Sequence, residues 1–171
     1  DDAILLTCYA VGAPAAKEAL ALPATTTRVV ELLECIGAGK PGGLITNENG
    51  GGSTVTGWLP TARSGLPLID LPCNGRAHPT GVMGSMALHR DPAYRSYQAA
   101  AGGNPDKGTY LESVFIDSLD ATAALVRQSA VRAGGLVSVA RNPVTASYAK
   151  KYCAPGGVAL AIEVGSLMKE A

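Results

Sequence analysis

The sequence predicts an α/β fold: a single domain with a mostly parallel or mixed sheet flanked by helices. Three observations carry this. Residues 3–11 (AILLTCYAV) form a continuous apolar run whose length suits a central strand buried on both faces. Residues 25–36 (TTTRVVELLECI) then place Val29, Val30, Leu32, Leu33 and Ile36 on one helical face, with Arg28, Glu31 and Glu34 outside. Two short apolar runs follow, 43–46 and 66–69, each ending in a polar, glycine-containing loop, with helical character between them.

The first unit is therefore strand, helix, strand, for which a parallel right-handed crossover is the default. Gly12-Ala13-Pro14 ends the first strand, and residues 37–42 (GAGKPG) stop the helix. The next helix should begin near Ser53 or Thr54, be kinked or shortened by Pro60, and end at Gly65 and Pro67. Residues 82–88 fit a strand or a short helix equally well. Residues 90–108 are polar and glycine-rich, and read as a long exposed excursion of functional or interface character. A strand over 111–116, a helix over 119–133 capped by Asp117 or Ser118, an apolar run over 136–140, a short helix over 144–151 and a helix over 158–168 complete the chain.

Composition narrows the function. The 171 residues are 47% hydrophobic and 16% charged, with a net charge of zero from 14 basic and 14 acidic residues. No basic, aromatic-interleaved stripe suggests a nucleic-acid partner, and no apolar run is long enough for a membrane span. Four well-separated cysteines without a CxxC pair argue against a disulfide scaffold or a zinc knuckle, and for a reduced, cytoplasmic protein. Cys8 and Cys35 read as core residues. The lean charge implies a covered surface, either by another copy or by a further part of the same protein. A homo-oligomer is thus expected, with the last helix as its face. The chain opens at Asp1 rather than Met, which fits either processing or a missing N-terminal segment.

The chemistry-bearing residues cluster in the two loops after the paired apolar runs. In open α/β sheets ligands bind beyond the carboxyl ends of strands. Glu48, followed by Asn49, Gly50, Gly51 and Ser53, would bring a carboxylate and accessible backbone amides to that edge. A flexible turn explains the same residues equally well, and the loop matches neither a P-loop nor a GxGxxG pattern. Asp70 ends the second run, as a functional carboxylate or as a turn cap. Arg76 could clamp a carboxylate or imide-type carbonyl, or pair with Asp70 or Glu48. Cys73 and His78, five residues apart, could form a nucleophile–base pair or bind a metal, or simply pack. No cofactor motif and no metal-ligand spacing stands out.

Several of these stretches resemble the DUF917 family, the S-methyl thiohydantoin desulfurase-like proteins. They are Val11-Gly12-Ala13-Pro14 with Glu18, Asn47-Glu48-Asn49-Gly50-Gly51, Gly65-Leu66-Pro67-Leu68-Ile69-Asp70 and Gly75-Arg76-Ala77-His78-Pro79, with a weaker match at residues 154–157 and 161–165. The chain departs from the family where an Asp becomes Pro72, a Glu becomes Thr80 and an aromatic becomes His78. The resemblance implies an α/β domain related to enzymes acting on hydantoin-like rings. The expectation is a hydrolase-like enzyme for a small cyclic amide, hydantoin or thiohydantoin. Glu48 or Asp70 would be the base, Cys73 or His78 would stand in for the missing acids, and Arg76, Glu18 and residues 49–53 would hold the ligand. The alternative is a non-catalytic, self-assembling or binding subunit that keeps the fold.

Overall fold

A computed structural model describes residues 2–74 and 84–170. Strand β1 (Ile4–Gly12) takes up the first apolar run, and its residues are buried from Leu5 to Tyr9. Helix α1 (Pro23–Cys35) carries the chain over to β2 (Pro41–Thr46), which pairs parallel to β1. Pro23 sits in the first helical turn, where a missing N–H costs nothing. Helix α2 (Trp58–Ser64) holds Pro60 in its first turn for the same reason, so the helix is shortened rather than kinked. It ends on Gly65 in the left-handed conformation, φ 72°. A two-residue strand, β3 (Leu68–Ile69), pairs parallel to β2.

The expected excursion over 90–108 is a correction. Residues Ser96–Gly102 form strand β4, buried along almost its whole length, and only the segment around 103–110 is a hairpin turn leading into β5 (Leu111–Asp117). The sequence SYQAAAG carries no β-branched residue and so hides its strand character. Its alanines serve packing, because α1 and α3 press on opposite faces of β4. Helix α3 (Leu119–Arg132) starts at Ser118, whose side chain accepts the Ala121 N–H. Strand β6 (Leu136–Thr145), helix α4 (Ala146–Tyr152) and helix α5 (Gly157–Glu170) follow.

The sheet has six strands in the order β3-β2-β1-β6-β4-β5. The half from β1 to β3 is parallel, and β6, β4 and β5 pair antiparallel, so the sheet is mixed. On one face, α1 covers Leu6, Cys8, Leu44, Ala99 and Ala101. On the other, α3 covers Ala100, Val137 and Val139, while residues around Cys73, Met86, Leu88 and Cys153 cover Leu5, Tyr9 and Ile45. Cys8 is core, as expected, but Cys35 is exposed at the end of α1. Among the described residues no helix is long and apolar enough to cross a membrane.

Candidate functional site

Parallel pairing of β2 with β3 puts the loops that follow them on one edge of the sheet. The segment after β3 docks on the segment after β2: the Asn47 carbonyl accepts the backbone N–H groups of both Cys73 and Asn74, at 3.2 and 3.1 Å. Glu48 and Asp70 therefore share one edge, as both loops predicted.

Their circumstances differ. The Asp70 carboxylate accepts the N–H of Val158 at 2.7 Å and of Ala159 at 3.0 Å, so it caps the first turn of α5. It caps a helix far along the chain, where the sequence suggested a cap on the turn that follows it. Replacing Asp70 with alanine should cost about 1–2 kcal/mol. Faster amide exchange at Val158 and Ala159, with the rest of the chain unchanged, would show that the loss is local to α5. Unaltered exchange there would rule the cap out.

The glycine loop closes on itself. Gly50 N–H donates to Ser53 Oγ at 3.0 Å, and Thr54 N–H and Oγ return to the Gly50 carbonyl. The Gly50 amide is consumed by this turn, and Gly51 and Gly52 stand in open space. Asn49 is different: its Oδ1 is buried without a hydrogen-bond partner, and its Nδ2 presses on Gly157. Glu18 sits apart from these loops. It is exposed and ion-paired with Lys107 in the β4–β5 turn, on the far side of β1 from Glu48. Arg76 and His78 lie outside the described residues.

Cys73 is buried and donates its S–H to Asn47 Oδ1 at 2.7 Å. The neighbouring Cys153 thiol and burial hold Cys73 protonated, well above the ordinary thiol range. The same contact favours the thiolate on Cys153 and lowers it. A nucleophilic thiol needs a lowered pKa, so the shift at Cys73 runs against that role. Among the described residues no group of three or more metal-ligating side chains gathers.

The structure adds residues that the motifs did not indicate. Thr7, Arg141 and Gln98 are in register across β1, β6 and β4 and form a buried polar row on the α3 face. The Arg141 guanidinium lies 4.3 Å over the centre of the Tyr9 ring. Its Nε has no hydrogen-bond partner, and neither do Asn47 Nδ2 and both amide atoms of Asn74. Burial pushes Arg141 below the ordinary arginine range, opposed by the nearby Tyr9, Glu48 and Cys73. Burial likewise holds the Tyr9 phenol up, with Arg141 pulling it back. Arg141 is aimed by a bulge: residues 142 and 143 of β6 face Leu6 alone, with Asn142 left-handed at φ 54° and held by Ser96 Oγ. Pro143, which lacks an N–H, suits the same irregularity. The signal in the sequence is an Arg-Asn-Pro interrupting a strand-like run.

On the α1 face, an apolar cleft of about 320 Å³ is lined by Leu22, Val29, Val55 and Leu59 beside Cys8. Burial pushes the Cys8 thiol up to about 12.

The comparisons agree with this architecture. The profile of the S-Me-THD-like N-terminal domain matches residues 1–113. The chain belongs to the S-Me-THD-like family. A crystal structure of a protein from Chromobacterium violaceum, a structural genomics target, shares the fold at a TM-score of 0.66 and 17% identity. The match covers 99% of this chain and 47% of that one, so the chain spans about half the length of that protein. No protein of curated description matches the sequence.

Proposed function

We propose that this S-Me-THD-like chain forms the ligand-binding and catalytic face of a hydrolase acting on a small planar cyclic amide, a hydantoin or S-methyl thiohydantoin. The observation that carries the reading is the buried set of unsatisfied polar atoms at Arg141, Asn47 and Asn74, beside Tyr9 and Glu48. Buried polar groups ordinarily find partners, and each one left without costs about 1–3 kcal/mol. A ring that alternates carbonyl oxygens with N–H groups satisfies amide donors and acceptors together. The guanidinium and the Asn47 and Asn74 amides would hold the ring edge, and Cys73 would hold Asn47 in place. Glu48 would take a proton from water as its oxygen attacks the ring carbon bearing sulfur. The C–S bond then breaks, and methanethiolate leaves with that proton. Arg76 would be a second clamp, and Arg76→Lys, which keeps charge but loses the fork, should weaken binding more than Cys73→Ser.

The test is thiol release from an S-methyl thiohydantoin, together with calorimetric binding of the hydantoin product. Glu48→Gln should lower turnover by about 10²–10⁴-fold and leave product affinity within a few fold. Full turnover in Glu48→Gln, or no binding of either ring at millimolar concentration, would refute the reading.

A second reading, assembly through α5, is favoured by one observation. Leu160, Leu167 and Met168 are 59%, 59% and 75% exposed, while among its large apolar residues Val158 is buried. Sedimentation should show a dimer or larger species at micromolar concentration, and Leu160→Glu with Leu167→Glu should give a monomer of unchanged thermal midpoint. A wild-type monomer would count against assembly.

A further inference from the structure

The segments on either side of the site's rim pair in a way the sequence spacing conceals. Ala154 N–H donates to the Pro72 carbonyl and Gly156 N–H to the Asp70 carbonyl, both at 3.2 Å. These bonds set the two segments side by side in opposite directions, 70 beside 156 and 72 beside 154. Continued by one residue, that pairing brings Cys73 beside Cys153, and the two share one buried cluster although 79 residues separate them in the chain. The pair occupies the position without mutual backbone hydrogen bonds, since Cys73 N–H goes to Asn47 and Cys153 N–H to Ala149. Opposed residues of that kind lie about 4.5 Å apart at Cα, within the span a disulfide bridges. Both side chains belong to the same buried cluster, and both cysteines are free.

We propose that Cys73 and Cys153 are a reversible thiol–disulfide pair that responds to hydroperoxides. This goes beyond the hydrolase reading and does not rest on it. Cys153 initiates the reaction. It keeps 7% of its surface exposed against 3% for Cys73, and its thiolate is the favoured anion of the pair. The Cys153 thiolate attacks one peroxide oxygen, the O–O bond breaks, and Cys153 becomes a sulfenic acid as the other oxygen leaves as hydroxide. The contact that kept Cys73 protonated is then gone. Cys73 gives up its proton and attacks the Cys153 sulfur, and the sulfenic oxygen departs as water. Two thiols and one peroxide give one disulfide and two waters.

The crosslink ties the loop after β3 to the turn before α5. It adds a covalent staple where Asp70 already caps that helix, and it removes the S–H that fixes Asn47 Oδ1. A thiol–disulfide couple reaching this rim gives the same edge of the sheet two states.

The experiment uses the full chain carrying Cys35→Ser, which removes the exposed cysteine. Equimolar hydrogen peroxide is added, free thiols are alkylated in denaturant, and peptides are mapped by mass spectrometry. The expected result is a loss of two hydrogen atoms, a linked pair of peptides containing Cys73 and Cys153, an alkylated Cys8, and full reversal by dithiothreitol. The oxidised chain should melt about 5–10 °C higher than the reduced one. Full alkylation of both cysteines after peroxide, a link to Cys8, oxygen added to sulfur without a link, or an unchanged or lower melting point would each overturn the proposal. Mapping the folded Cys35→Ser chain keeps the outcome independent of whether Cys73→Ser or Cys153→Ser fold.

Discussion

Arg141→Met is expected to leave the fold as stable as before, or more stable, and to weaken binding of the proposed ligand at least tenfold. The two effects have one cause. A guanidinium buried in the sheet face with Nε unsatisfied was taken out of water without full compensation. Replacing buried charge with an apolar side chain of similar volume is often neutral or stabilising, by about 1–4 kcal/mol. Against this stands the lost contact with Tyr9, worth about 0.5–2 kcal/mol. The ligand suffers the opposite balance, because hydrogen bonds to a charged group contribute about 1.5–3 kcal/mol each. That is a loss of ten- to more than a hundredfold in affinity for one bond. Urea unfolding and calorimetric titration on the same samples read both quantities. A variant destabilised by more than about 2 kcal/mol that binds normally would make Arg141 structural.

Among the described glycines, Gly12→Ala should be the most damaging added methyl group. A Cβ there would lie 2.0 Å from the Gly135 carbonyl oxygen and 3.0 Å from Leu136 Cα, and the backbone holds φ at 133°. Gly135, itself at φ 120°, would meet Ala16 in the same way, and its carbonyl accepts the Ala13 N–H at 2.7 Å. The clash is between backbones, so no side-chain rotation relieves it. The expected cost is about 2–4 kcal/mol. Gly51→Ala, in open space with an ordinary φ, should gain up to about 1 kcal/mol instead. Thermal unfolding of the two variants makes the comparison. Equal midpoints would show that the end of β1 yields more readily than its geometry implies.

This contrast also marks what was legible in the sequence. The glycine run at 50–52 drew the eye, yet the tight packing is at Gly12, inside the shared Gly-Ala-Pro motif, where the reason is an opposing strand distant in sequence. β1, α1 and β2 were readable because their periodicity is local and strong. Glu48 and Asp70 could be placed on one edge because parallel strands send their following loops the same way. β4 was not readable, since alanines chosen for close helix approach mimic a loop or a helix. Arg141 beside Tyr9 and Cys73 opposite Cys153 were equally hidden. Each pairing is made by the sheet's strand order or by the C-terminal turn rather than by spacing within a motif.

The position of β6 has a consequence for how the chain becomes a protein. It lies between β1 and β4 but is the last of the six strands to leave the ribosome. Until then the parallel half and the β4–β5 hairpin have no sheet in common, and β1, the most apolar strand, presents a bare edge. Contacts between distant parts of a chain form slowly, and an unpaired edge invites other chains during the wait. A nascent chain that ends before β6 is two unfinished sheets, and synthesis of residues 136–145 supplies the strand that joins them.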